Sequence, residues 1–234
     1  MGTLVLVKHY MRADLTQRCV RSLVPTLDHD DKLVVIDGSY DLAPYDGEEV
    51  EIVSWHGDGL ISSFNDIIRY EDEARWGWDV DAYACLNNDV EVGLGWLGAI
   101  KTVLARNPQI GICAPLYDDP QGGWLWASGP MGQPHEFREF PHVDNCAWVF
   151  TEKLVQAIGL PDPAFTGAGW GANLDYCYRA RKAGFLVAAA LGAWVHHEGA
   201  ATFGVDPEYR AKARLERDRV LQMKYGARAA EVWG

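Results

Sequence analysis

Short runs of apolar, often β-branched residues alternate along the first half of the chain with longer stretches whose apolar positions recur every three or four residues. Residues 3–7 form a run of the first kind, and Leu15, Cys19, Val20 and Leu23 mark a pattern of the second, which predicts a strand followed by an amphipathic helix. Residues 32–36 predict another strand, stopping at Asp37-Gly38-Ser39, and residues 50–55 a further one that ends at Gly57-Asp58-Gly59. A helix is expected over about 60–74, a strand over 82–86, a helix over 96–105 and a strand over 110–114, closed by Pro115 because proline lacks a backbone donor. The Gly-, Pro- and Trp-rich segment 117–142 predicts loops and a hairpin. A strand over 143–150, helices over 152–158 and about 174–183, and a strand near 185–190 complete the pattern.

Strands alternating with helices predict an α/β fold in which a mainly parallel central sheet is flanked by helices. Ligands of such sheets bind in the crevice at the carboxyl ends of the strands, where the polar tips Asp37, Asp58 and Asn87–Asp89 fall. The 234 residues contain no internal repeat and no linker-like stretch, so one domain is expected, with a helical extension at 206–234 packed on it. Apolar residues at 48% and charged residues at 23% are ordinary for a chain with a sizeable core.

Charge narrows the choice of partner. A formal charge of −12 opposes a broad grip on nucleic acid, because phosphate binding depends on Lys and Arg displacing counterions. The segment 208–228 is the exception: seven basic residues (Arg210, Lys212, Arg214, Arg217, Arg219, Lys224, Arg228) face Glu208, Glu216 and Asp218. It reads either as a solvated helix face or as a contact to a polyanion or membrane surface. Five widely spaced cysteines without a Cys-x-x-Cys pair read as buried, reduced thiols. No apolar run approaches the roughly twenty residues of a membrane span, and a cytoplasmic protein without stable membrane insertion is expected.

Three clusters carry candidate chemistry. Leu86-Asn87-Asn88-Asp89-Val90 ends a strand with a carboxylate and two amides, an oxygen set suited to a hard divalent ion such as Mg²⁺ or Mn²⁺ that keeps positions open for phosphates. Trp194-Val195-His196-His197-Glu198 offers imidazoles; neighbouring residues of an extended segment face opposite ways, so one histidine is expected to join Asp89. Phe165-Thr166-Gly167-Ala168-Gly169-Trp170-Gly171-Ala172-Asn173-Leu174-Asp175 is a glycine-rich loop running into a helix, with Asn173 placed to cap it and Asp175 near its positive end. The same loop reads alternatively as the wall of an acceptor site.

In order, these segments resemble glycosyltransferase family two and its rhamnosyltransferase-like relatives of the GT-A fold, over residues 3–205. Cys19-Val20-Arg21-Ser22-Leu23 is similar to the family's first helix, Val34-Val35-Ile36-Asp37-Gly38-Ser39 to its uridine-binding strand end, and Asp58-Gly59-Leu60-Ile61-Ser62-Ser63-Phe64-Asn65 to the turn opening its second helix. Leu86-Asn87-Asn88-Asp89-Val90 resembles its DxD metal motif, and His197-Glu198-Gly199-Ala200-Ala201-Thr202-Phe203 its C-terminal histidine motif. The passages 155–165 and 175–185 look like the helix–glycine turns around its acceptor site.

The resemblance implies a metal-dependent transfer of a sugar from a nucleotide-sugar donor, UDP-linked by preference, to an acceptor hydroxyl. It implies Asp89 and His197 on Mn²⁺ or Mg²⁺; His9, Tyr10, Asp37, Gly59, Asn65, Asn87 and Asn88 at the donor; and Trp124, Trp126 and Trp170 at the acceptor. Ala172-Asn173 stands where the family usually has a Glu-Asp pair whose Asp is the base. An amide cannot take that proton, leaving Asn173, Asp175 and Asp144 as candidate catalytic residues. Tryptophan, glycine and asparagine here also resemble the retaining polypeptide GalNAc-transferases, so the stereochemistry stays open. The acceptor stays open too, among a glycan, a protein, a small molecule and a hydroxymethylated base in DNA. The rival readings are a sugar-1-phosphate nucleotidyltransferase, for which the Lys8-His9-Tyr10-Met11-Arg12 segment is poor in glycine, and a non-catalytic nucleotide-sugar-binding module.

Overall fold

A computed structural model describes residues 1–39, 45–46, 50–57, 59–70, 80–118, 125–199 and 206–233. Its first half runs β1 (Thr3–His9), α1 (Ala13–Leu23), β2 (Lys32–Asp37), β3 (Glu51–Ser54), α2 (Leu60–Tyr70), β4 (Ala82–Asn87), β5 (Val90–Val92), α3 (Trp96–Arg106) and β6 (Ile110–Tyr117). Then come β7 (Phe137–Glu139), β8 (Ala147–Thr151), α4 (Glu152–Ile158), α5 (Ala172–Lys182), β9 (Leu186–His197) and α6 (Pro207–Tyr225), followed by a 3₁₀ helix over Gly226–Val232. The expected continuation of α2 to residue 74 lies outside the described residues.

The strands form a sheet in the order β3-β2-β1-β4-β8-β6-β9-β5, with β7 also on β9. Pairings from β3 through β4 are parallel, as expected, and so is β6 with β9. Antiparallel members join this largely parallel sheet: β8 inserts antiparallel between β4 and β6, and β5 and β7 run antiparallel along the edge of β9 opposite β6. The sheet is therefore mixed. Leu4, Val5, Leu6 and Val7 are all 0% exposed. Successive strand residues point to opposite faces, so both faces of β1 are covered, and each such side chain contributes roughly 1.5–3 kcal/mol of burial.

Local chemistry explains the helix boundaries. In α1 the buried positions Leu15, Thr16, Cys19, Val20 and Leu23 share one face. Thr151 caps α4 by accepting from the Leu154 amide at 3.2 Å, and Asp206 caps α6, with Pro207 in the first turn where no amide is needed. Two strands run further than the residue pattern predicts. β6 continues through Pro115 to Tyr117, with a register irregularity against β9 between Ala114 and Leu116, a bulge that accommodates the missing donor. β9 continues through Leu191 and Gly192 to His197 instead of ending near 190. All five cysteines are buried and free, and no helix among the described residues is long and apolar enough to cross a membrane.

The extension past residue 205 packs on the body: Val220, Leu221 and Val232 share a buried cluster with Ile61, Phe165, Ala172, Leu174 and Tyr178. A polar clamp reinforces it. Asp175, 0% exposed, accepts from Arg179 Nε at 2.9 Å and from the Tyr225 hydroxyl at 2.5 Å, and pairs with Lys224 Nζ at 2.6 Å.

Candidate functional site

The sheet register brings the expected polar tips to one edge. His9 lies opposite Asp37, and Lys8 opposite both Ile36 and Asn87. Asp37 Oδ1 accepts from the Ser39 amide and hydroxyl at 2.9 and 2.6 Å, and its Oδ2 accepts from the Tyr45 amide at 3.0 Å. Burial opposes ionisation of Asp37, yet these hydrogen bonds and the nearby His9 ring hold its pKa below the ordinary carboxylate value. Beside it, Lys8 Nζ stands 4.3 Å from the centre of the Trp55 ring. Gly38 makes room, since a Cβ there would come within 2.2 Å of that ammonium. Burial lowers the Lys8 pKa to about 8 against the pull of Asp37. Sequence reasoning named Lys8 only as part of a strand end; its pairing with Trp55 spans two strand tips and has no local signal.

Asp89 sits in the two-residue turn between β4 and β5. A buried polar chain fixes that turn: Thr16 Oγ1 lies 2.7 Å from His9 Nδ1 and accepts from Asn88 Nδ2 at 3.0 Å. His9 (0% exposed) and Asn88 (7% exposed) thus face protein rather than a ligand. Asn65, expected at the donor, is likewise buried, donating to the Pro161 carbonyl at 2.7 Å. All three side chains are thus held in the interior, with Asn65 Oδ1 left without a hydrogen-bond partner among the described residues. Tyr10 remains partly exposed at the end of β1, as does Asn87 at the end of β4. Gly59 opens α2 at φ +93°, and Leu60 donates to the Gly167 carbonyl at 2.8 Å. Asp58 lies outside the described residues.

The antiparallel ladder of β5 and β9 sets His197 opposite Val90, so its ring meets the preceding residue: His197 Nε2 is 3.5 Å from Asp89 Oδ1, with side chains only 14% and 10% exposed. The alternation of the strand sends His196 the other way, where its Nδ1 lies 2.6 Å from Asp118 Oδ2. Asp118 also accepts from the His197 amide at 3.0 Å. Burial disfavours a charged His197, but the Asp89 carboxylate beside it opposes that and raises its pKa. Cys146 itself is pushed up to about 12 by burial and stays a thiol. A carboxylate oxygen and an imidazole nitrogen are a donor pair suited to Mn²⁺. Among the described residues, no group of three or more His, Cys, Asp or Glu side chains is arranged to hold a metal ion.

The segment before β8 connects this pair to α5. The Asn87 amide donates to the Cys146 carbonyl at 2.9 Å, Asp144 Oδ1 accepts from the Cys146 amide at 3.2 Å, and Asn145 Nδ2 donates to the Gly169 carbonyl at 3.3 Å. Asn173 does not cap α5. Gly171 takes the cap position at φ +94°, and Asn173 Nδ2 donates to the Val143 carbonyl at 2.7 Å. Asp144 and Asn173 are thereby neighbours, both partly exposed. Asp175 is 0% exposed, sealed under Arg179, Lys224 and Tyr225. Trp170 is partly buried on the glycine loop, Trp126 is 51% exposed, and Trp124 lies outside the described residues.

No family model matches the chain. Over 123 residues, 50% of this chain and 46% of the relative, it is 29% identical to the uncharacterized proteins Rv1525 of Mycobacterium tuberculosis and Mb1552 of Mycobacterium bovis. The chain thus spans about half the length of the curated relatives it matches. Among solved structures it is similar to GalNAc-T7 with UDP, GalNAc and Mn²⁺, at TM-score 0.63 and 14% identity over 84% of this chain and 44% of that one. It is also similar to Staphylococcus aureus TarS 1–349, at TM-score 0.59 and 11% identity over 96% of this chain and 70% of that one. With its central sheet flanked by helices, the chain has the GT-A fold of these glycosyltransferases.

Proposed function

We propose that the chain is a glycosyltransferase that moves a sugar from a nucleotide-sugar donor, UDP-linked by preference, to an acceptor hydroxyl with the help of Mn²⁺ or Mg²⁺. The observation that carries this reading is the close Asp89–His197 pair at the mouth of a GT-A sheet, 3.5 Å apart and largely shielded from solvent. The neighbour holding UDP, GalNAc and Mn²⁺ supports the same chemistry. Asp89 and His197 would hold the ion, leaving its other positions to diphosphate oxygens and water. When bound, such an ion neutralises charge on the departing nucleoside diphosphate. Binding requires a neutral imidazole, so the proton that Asp89 stabilises on His197 must leave first.

The chain's own residues then divide the remaining tasks. Tyr10, Asn87 and the Lys8–Trp55 pair border the crevice where the nucleoside and phosphates lie, with Asp37 ordering the segment around Ser39 and Tyr45. In this reading Asp144, held by the Cys146 amide and near Asn173, serves as the base that accepts the acceptor's proton, which its partial exposure supports. A second reading, a non-catalytic nucleotide-sugar-binding module, draws on one observation: Asn173 is committed to the Val143 carbonyl and brings no carboxylate to the start of α5.

One assay separates the two. UDP-, GDP- and dTDP-sugars are incubated with Mn²⁺ or Mg²⁺, and released nucleoside diphosphate is quantified. Metal-dependent release supports the transferase; nucleotide affinity without any release across candidate acceptors supports the module.

A further inference from the structure

A cavity of about 460 Å³ opens between the 165–171 loop and α6. Its walls include Trp170 on the loop, and Tyr209, Lys212, Glu216 and Arg219 on the helix. Positions 209, 212, 216 and 219 fall three or four apart, so they line one face of α6. This cavity lies beside the crevice. The Tyr209 hydroxyl accepts from the Ala168 amide at 3.0 Å and is close enough to Tyr10, at the end of β1, for the two phenols to interact electrostatically. The far side of the same loop is tied to Asn145, between Asp144 and Cys146.

We propose that this cavity receives the acceptor, and that the acceptor is a saccharide or polyol carrying an anionic group such as a phosphate or carboxylate; the assignment as acceptor rests on the transferase reading above. Two features select that chemistry. Trp170 and Tyr209 offer aromatic surface to the apolar face of a sugar ring. Lys212 and Arg219 face the cavity without an ion-pair partner among the described residues, while the one carboxylate on that face, Glu216, is engaged by the Thr166 hydroxyl. The lining therefore carries two cations against one carboxylate, a net positive charge next to aromatic walls. A duplex nucleic acid fits less well, since a cavity of this size belongs to the range that encloses small ligands and the chain as a whole carries −12.

The test uses the intact chain, ligand-observed saturation-transfer NMR with glucose 6-phosphate, glucuronate and glucose, and UDP titration by calorimetry. The two anionic sugars are expected to bind through their ring protons and glucose to bind much more weakly. In the Lys212→Glu/Arg219→Glu double variant the anionic sugars should lose at least about tenfold in affinity, with UDP affinity unchanged; both positions are exposed, and circular dichroism checks the fold. Trp170→Ala should weaken all three sugars. Equal binding of glucose and the anionic sugars overturns the proposal, as does loss of UDP affinity in the double variant, which would make the cavity part of the donor site. Preferential capture of a duplex oligonucleotide overturns it as well. Should UDP fail to bind the wild type while the anionic sugars still require Lys212 and Arg219, the donor reading falls and the anionic-sugar site stands.

Discussion

His197 Nε2 and Asp89 Oδ1 lie 3.5 Å apart although 108 positions separate them in the chain, because the β5–β9 ladder sets His197 opposite Val90. Removing either partner should abolish metal-dependent donor turnover. Asp89→Ala is expected to show no nucleoside diphosphate release above background with Mn²⁺, read by chromatography of the products. Leaving the buried imidazole without its carboxylate should also cost about 3 kcal/mol of stability, so urea melts accompany the assay. Wild-type turnover in a folded Asp89→Ala variant would remove the metal assignment.

Asp144 and Asp175, two carboxylates expected in one role, differ in their surroundings: Asp144 is partly exposed and Asp175 is buried under an ion-pair clamp. Asp175→Asn breaks a clamp of Arg179, Lys224 and Tyr225 and should lower stability by about 3–5 kcal/mol. In conditions where it stays folded, its kcat should be near that of the wild type. Asp144→Asn should do the reverse, leaving the melt in place and lowering kcat by roughly 10²–10⁴-fold. A stable Asp175→Asn protein with a collapsed kcat would reinstate Asp175 in the chemistry.

That pair also shows what the residue pattern reveals and what it hides. The tips of β1, β2 and β4 were legible because short apolar runs end in polar residues, and the carboxyl ends of adjacent parallel strands meet by rule. The fate of Asp175 was not, because it is decided by Tyr225, 50 positions away. Nor was the full length of β9. Ala188-Ala189-Ala190-Leu191-Gly192-Ala193 lacks β-branched residues, and becomes strand because β6 and β7 pair with its alanines and small side chains admit close neighbours. A Cβ at Gly192 would stand 2.7 Å from Pro134 Cα, which shows how near that backbone passes. The antiparallel β8 was legible as a strand but not as an insertion between β4 and β6, since apolar pattern carries no partner information.

Lys8 makes stability depend on pH in a defined direction. Its folded-state pKa of about 8 lies below the ordinary 10.5, so between those values the unfolded chain binds a proton that the folded chain does not, and stability rises with pH. Below about pH 8 the cost of the buried ammonium is present in full. Lys8→Met is therefore expected to stabilise the fold near pH 7 by on the order of 2 kcal/mol, an advantage that shrinks as pH approaches 10. Urea midpoints of both proteins across that range check it. An advantage constant with pH would show that the ammonium is not held in the low-dielectric setting its burial under Trp55 implies.

Gly169 couples the loop to the site segment through a conformation that side chains disfavour. It sits at φ +71°, where a Cβ would come 2.8 Å from Ile61 Cγ1, and its carbonyl accepts from Asn145 Nδ2 at 3.3 Å. Gly169→Ala incurs left-handed strain of roughly 1–2 kcal/mol, and relief of the clash must move either the α2 side chain or the loop itself. Since Asn145 adjoins Asp144, loop movement should reach the proposed base and acceptor wall together while leaving the donor side untouched. The expected kinetic result is a raised acceptor KM and a reduced kcat with donor KM unchanged, at a stability loss small enough for the protein to remain folded. If Ile61 yields instead, stability falls by the same amount and both KM values stay at the wild-type level, which would show that the loop does not control the acceptor half of the site.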